Sequence, residues 1–144
     1  MHLVSGNGHA EDLRKLERVQ RRWTKQVEGL GELPYSERLR QLKLYSVQGR
    51  LLRADLIQYW RILHGKSSIA AVEFFTLSHN IGTRGHSLKL LVLRASTEVR
   101  KRSFTHRQVP LWNSLPERVV MAPNLSTFKR LLAEAIPDRL YDFA

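Results

Sequence analysis

Cysteine is absent from the 144 residues. Disulfides, thiol redox chemistry and every zinc site built on thiolates go with it. Acid is scarce beside base: 13 Asp plus Glu stand against 24 Lys plus Arg, a formal net charge of +11. No apolar run approaches the roughly 20 residues that a bilayer span needs. The N-terminal MHLVSGNGHA has no apolar signal-peptide core, so nothing marks secretion. The expectation is an intracellular chain, nuclear or cytoplasmic, with no membrane partner. Clustered carboxylates are missing too. Two-metal phosphoryl transfer needs a set of acids in one place, and the scattered acids here supply none, so no catalytic residue is assigned. His79 and His86 stand without a carboxylate or thiolate at ligand spacing. They read as hydrogen-bonded loop histidines, and no metal or other cofactor is expected.

What remains is a globular composition with a strong positive field. The hydrophobic fraction of 42% supports one domain with a modest core. Most of the cations are Arg, which grips phosphate with two donors and stacks on bases. Such an excess attracts polyanions, and RNA or DNA is the partner it suggests first.

Residues 1–10 read as a flexible leader, 11–137 as a single helical domain and 138–144 as a tail. Over 11–28 the period is helical, with Leu13, Leu16, Val19, Gln20, Trp23 and Val27 on one face. Glu11 and Asp12 suit a first turn and Gly29 a C-terminal stop. Arg14, Arg18, Arg21, Arg22 and Lys25 make a second stripe, either a solvated face braced by Glu17–Arg21 or a ridge that follows phosphates. A short helix over 34–42 opens on Pro34. A longer one runs from Ser46 to about His64, with Leu52, Leu56, Tyr59 or Trp60, and Leu63 at core spacing and Gly65 at its end. Asp55 lies on that apolar side. It therefore needs a cationic partner, expected to be Arg84 or Arg53, and its role is structural.

The helical rhythm breaks over 76–95. Gly82 and Gly85 bracket Thr83-Arg84, and Leu88, Leu90 and Val92 alternate around Lys89, which predicts turns and a short extended stretch. Arg100, Lys101, Arg102 and Arg107 then surround Phe104 and His106, an arrangement that single-strand binding uses to stack bases. A helix is predicted over 103–113. Ser114-Leu115-Pro116-Glu117 has the form of a capping box that starts the next one. That places Trp112 at a tight corner, plugging the core with its indole N–H on a backbone carbonyl. Asn124 caps a last helix through Ile136, whose apolar line is Leu125, Phe128, Leu132 and Ile136.

LERVQRRWTK, SERLRQLKLYSVQGRLLRADLIQYWRILHG, TRGHSLKL and VPLWNSLPERVVMAPNLSTFKRLL, in that order, resemble the C-terminal region of non-LTR (LINE, jockey-like) retrotransposon reverse transcriptases. The resemblance covers roughly residues 13–133, and WNSLP with the downstream LSTFK carries most of it. It implies a segment at or after the thumb, following the palm of an RNA-directed DNA polymerase. The chain departs from that pattern at Pro34, where Ser is common, at Trp23, where a small Ala is usual, and at Ala54, where Gly is. Gly49 and Leu51 stand where Arg or Lys would be expected. The Tyr/Phe-Ala-Asp-Asp palm motif is absent from the sequence.

These readings converge on a mostly α fold: a small helical bundle of about five helices with an irregular, partly extended segment near 76–95. The expected function is non-catalytic binding of RNA or DNA by the phosphate backbone, with a reverse transcriptase palm as a further partner. The contact residues expected are Arg14, Arg18, Arg21, Arg22, Lys25, Arg84, Lys89, Arg100, Lys101, Arg102 and Arg107, with Phe104 and His106 as stacking groups. Asp55, Trp112, Ser114, Pro116, Glu117 and Asn124 are assigned structural roles. Two rival readings are a protein-interaction module that uses Trp23 and Trp60, and a translated remnant of a retrotransposon.

Overall fold

A computed structural model describes residues 6–68, 75, 77–78, 85–91 and 104–141. The protein is mostly helical: α1 (Gly6–Lys25), α2 (Tyr35–Leu42), α3 (Val47–Leu63), α4 (Phe104–Arg107), α5 (Val109–Ser114), α6 (Glu117–Val120), α7 (Leu125–Ala135) and α8 (Pro137–Tyr141). The sequence reading drew one domain over 11–137. Within the chain two compact units are distinguished, Met1–Arg53 with Ile136–Ala144, and Ala54–Ala135. The supposed leader contributes the first turn of α1 from Gly6, and the supposed tail contributes most of α8.

In the first unit, α1 and α2 pack around Leu30, Tyr35 and Leu39. Pro34 is the N-cap of α2 and Lys43, in the left-handed region at φ 56°, ends it. The Leu44 N–H reaches back to the Leu39 carbonyl at 2.9 Å, the usual way a left-handed residue closes a helix. Arg38 is buried, and its guanidinium satisfies Thr24 Oγ1 at 3.2 Å and the carbonyls of Leu33 at 2.7 Å and Arg21 at 3.2 Å. A cation at the carbonyl end of α1 also suits the helix dipole. Ser46 caps α3, accepting the Gly49 N–H at 2.9 Å. The same serine holds α8, since the Ser46 N–H donates to the Leu140 carbonyl at 2.9 Å. Gly49 lies under that carbonyl, where a Cβ would collide with the Leu140 backbone. A larger residue there is excluded by the seat of α8.

The second unit is built on aromatic rings. Tyr59, Trp60, Trp112 and Phe128 are buried, and Trp60 stacks on Phe128 with centroids 5.8 Å apart. Trp112 meets Tyr59 at 6.0 Å, His86 at 5.8 Å and Phe128 at 6.2 Å. Its indole N–H donates to the Leu88 carbonyl at 3.0 Å. The burial of Trp112 and the bond from its indole to a backbone carbonyl are as the sequence led one to expect. Beside it, the Asn113 amide takes both main-chain groups of Leu90: Oδ1 accepts the N–H and Nδ2 donates to the carbonyl, each at 2.8 Å. A side-chain amide thus does what a neighbouring strand would do. Among the described residues the extended stretch amounts to one antiparallel bridge, Leu77 to Leu90.

Two helix readings need correction. The helix predicted over 103–113 is two, α4 and α5, with Gln108 between them and Pro110 in the first turn of α5. The capping box is not formed. α5 runs through Ser114, so the Ser114 hydroxyl returns to the Leu111 carbonyl at 2.7 Å and is no N-cap. Pro116 becomes the N-cap of α6, without a side-chain cap bond. Glu117 turns instead to Ser87, accepting its N–H and its hydroxyl, each at 2.7 Å. Those two bonds hold the Glu117 carboxyl below its usual range. Asn124 caps α7 as expected, accepting the Thr127 N–H at 2.8 Å.

His86 ties these parts together. Its Nδ1 accepts the Leu88 N–H at 3.1 Å, so the single ring proton sits on Nε2 and points at the Trp112 carbonyl at 2.8 Å. Burial holds its pKa below the ordinary 6.5, and a second proton would face the Leu88 N–H. A depressed folded-state pKa means that the unfolded chain takes up the proton first as pH falls. The stability from neutral His86 is fully present above pH 6.5 and is lost as pH drops through the lower folded value. The melting temperature should therefore be level from about pH 8 to 7 and decline as the pH falls below about 6.5. Thermal melts of the protein and of His86→Gln check this; parallel curves for the two would remove His86 as the cause.

Candidate nucleic-acid interface

α1 turns three different faces outward and inward. At 3.6 residues per turn, Leu13, Glu17, Gln20 and Thr24 share one side, Leu16, Val19 and Trp23 a second, and the basic residues a third. Periodicity predicts that the apolar side is buried. The structure reverses this: Glu17 is 2% and Thr24 0% exposed, while Leu16, Val19 and Trp23 are 57%, 66% and 52% exposed.

The reason lies in α3. Glu17 reaches from α1 to the start of α3, where its carboxylate accepts the Val47 N–H at 2.5 Å. A negative group at a helix N-terminus is favoured by the dipole and satisfies a donor with no partner in the helix. Burial still raises the Glu17 pKa, against the pull of the Val47 N–H, the Tyr35 hydroxyl and the nearby Arg50 and Arg21. Glu17 is thus not the surface brace for Arg21 that its spacing suggests. Gln20 adds a second bridge, donating to the Tyr35 hydroxyl at 3.0 Å and the Tyr45 carbonyl at 3.1 Å. Burial pushes the Tyr35 phenol up to about 12, so it stays a neutral acceptor.

With the polar side buried, the cations face solvent. Arg14, Lys15, Arg18, Arg21, Arg22 and Lys25 are all exposed, on an arc about one third of the way round the helix. Arg14, Arg18 and Arg21 line a recess of about 250 Å³ whose inner wall is Glu17. Arg21 also lies over the Tyr35 ring, 4.9 Å from its centroid. The five α1 residues expected from the sequence are therefore together, and Lys15 joins them.

The rest of the predicted set is not assembled in this way. Arg84, Arg100, Lys101 and Arg102 lie outside the described residues, as does His79. Lys89 is half-buried, its aliphatic stem over Gly85. Phe104 is half-buried with its ring edge-on to Tyr59 at 5.1 Å and 6.3 Å from Phe75, and its carbonyl accepts the Tyr59 hydroxyl at 2.5 Å. That packing makes it a wall of the aromatic core, unsuited to stacking on a base. His106 is half-buried beside it in α4. Arg107 is the partner of Asp55, in place of the expected Arg84 or Arg53. Its Nε meets Oδ2 and its second terminal nitrogen meets Oδ1, both at 2.6 Å. The Asp55 carboxylate raises the Arg107 pKa in return. Arg53 instead lies over the Tyr45 ring, 5.8 Å from its centroid.

Trp60 is buried, with its indole N–H on the Ala122 carbonyl at 3.3 Å, so it is not the surface contact residue that the interaction-module reading requires. Among the described residues no cluster of three or more metal-ligating side chains occurs, and no helix is long and apolar enough to cross a membrane. Comparisons with family models, curated proteins and solved structures find no match.

Proposed function

We propose that the protein binds RNA or DNA without catalysis, through the sugar-phosphate backbone, and that the arginine face of α1 is the contact surface. One observation carries this reading: Glu17, Gln20 and Thr24 bury the polar side of α1, which leaves six cations on a continuous exposed arc. A net charge of +11 supplies the long-range attraction that such a surface needs. The resemblance to the region after the palm of LINE-type reverse transcriptases supports the same class of ligand. In this reading the parent polymerase supplies the chemistry, since the sequence carries no palm carboxylates, and a palm domain is a natural neighbour.

The test is a salt titration of binding to single-stranded RNA and DNA. Phosphate contacts release counterions at roughly 0.7 per contact, so Arg14, Lys15, Arg18, Arg21, Arg22 and Lys25 predict a log–log slope of about −4.2, nearly the same for every sequence. Arg18→Glu with Arg22→Glu should flatten the slope by about 1.4 and weaken RNA and DNA alike. Both side chains are exposed, so the melting temperature should not move. An affinity that does not change with salt would make the charge a solvated face and end the proposal.

A further inference from the structure

The remaining face of α1 is apolar and exposed: Leu16, Val19 and Trp23 are all more than half accessible. Leu16, Val19 and Trp23 form one wall of an open groove of about 470 Å³, with Val47 and Arg50 of α3 opposite and Gln20 between them. An apolar run of this kind on a helix normally faces a core; here it faces outward because Glu17 is committed to α3. The Gln20 amide is engaged on both sides, accepting from Arg50 and donating to Tyr35 and Tyr45. An occupant therefore meets mainly carbon between two cationic edges, Lys15 and Arg22 along α1 and Arg50 across the groove. Asp12, one turn before Leu16, is the acid on that side of α1.

We propose that this groove docks an acidic amphipathic helix of a partner protein. Its apolar edge would lie on Leu16, Val19, Trp23 and Val47, and its carboxylates on Lys15, Arg22 and Arg50. Helix-in-groove recognition needs an apolar trough that takes anchors at i, i+3, i+4 and i+7, and the α1 wall offers its own residues at matching spacing. Charge selects the occupant. A second copy of this chain would bring one set of +11 charges against another, with the basic arc of α1 beside the contact. A small apolar ligand would need converging polar groups to orient it, and the Gln20 amide is already engaged. A lipid surface wants a projecting apolar edge, whereas this is a recess. The groove shares only its edge residues Lys15 and Arg22 with the basic arc; its apolar wall is a different side of α1, so the proposal does not depend on the phosphate reading.

Trp23 is a built-in reporter, since Trp60 and Trp112 are buried and only Trp23 of the three is exposed to a quencher. The full chain is titrated with three synthetic helical peptides: Leu at anchor spacing on a Glu background, the same on a Lys background, and the Leu/Glu composition scrambled. The Leu/Glu helix should shield Trp23 from acrylamide and saturate, and added salt should weaken it without abolishing it. Leu16→Ser with Val19→Ser keeps the reporter and should lower that affinity at least about tenfold. Both residues are exposed, so an unchanged melting temperature confirms that the fold is intact. Equal shielding by the scrambled or Lys peptide would overturn the proposal, as would an unaffected double variant. Shielding by phosphatidylserine vesicles but not by the Leu/Glu helix would assign the groove to lipid instead. Shielding that grows with protein concentration alone, with a matching rise in mass by sedimentation, would assign it to a second copy.

Discussion

Trp112→Ala should lower unfolding free energy by about 3–5 kcal/mol, the range for emptying a buried aromatic site. Trp112 is 0% exposed and its ring touches Tyr59, His86 and Phe128. These ring neighbours are themselves stiff, which limits how far the cavity can collapse. The indole N–H adds a second loss, because the Leu88 carbonyl would keep no donor from Trp112. Trp112→Phe separates the two terms. It keeps most of the ring contact and removes the donor, and should cost about 1–3 kcal/mol. Urea denaturation followed by circular dichroism measures both. A midpoint for Trp112→Ala within error of the parent would mean that the ring is not the plug of this unit.

The same residue shows what periodicity and local chemistry reveal. An aromatic fixed beside Ser-Leu-Pro has to be placed by something rigid, and the expected bond from its indole to a backbone carbonyl is present. α3 and α7 were legible for a related reason: Leu52, Leu56 and Tyr59, and Phe128 and Leu132, repeat at helical spacing and face inward. α1 shows the limit. Periodicity reports that a helix has two kinds of face, and burial of the apolar one is only the usual outcome. Here a single carboxylate, Glu17, gains more by capping α3 than by facing water, and it turns the helix with it. Nothing local to LERVQRRW announces a partner 30 residues away. Asn113 was missed likewise, because an Asn at a helix end reads as a turn former until Leu90 is seen against it. The capping box failed through competition. Its Ser114 and Glu117 have the right spacing, but the preceding helix keeps the serine and Ser87 takes the glutamate.

Asp55 is the case in which the need was legible and the partner was not, and Arg107→Met is the experiment that weighs it. The demand for a cation follows from one acid on an apolar helix side. The choice of cation does not, because this chain carries 24 bases. The structure selects Arg107, whose two donors meet the two Asp55 oxygens at 2.6 Å, with Gln108 Nε2 adding a bond to Oδ2 at 3.2 Å. The Asp55 side chain is 5% exposed and that of Arg107 25%, so removing the arginine leaves a buried charge with an amide as its remaining support. The expected loss is about 3–5 kcal/mol. Asp55→Leu placed on top should restore much of it, because the second change removes the charge that the first one stranded; the difference is read from the double-mutant cycle. The same variant decides the role of Arg107 toward nucleic acid. Held by Asp55, it should contribute nothing to phosphate binding, and the salt slope of Arg107→Met should equal that of the parent at temperatures where both are folded. A stable variant whose slope is flatter by about 0.7 would return Arg107 to the phosphate set and dissolve the ion pair as a structural element.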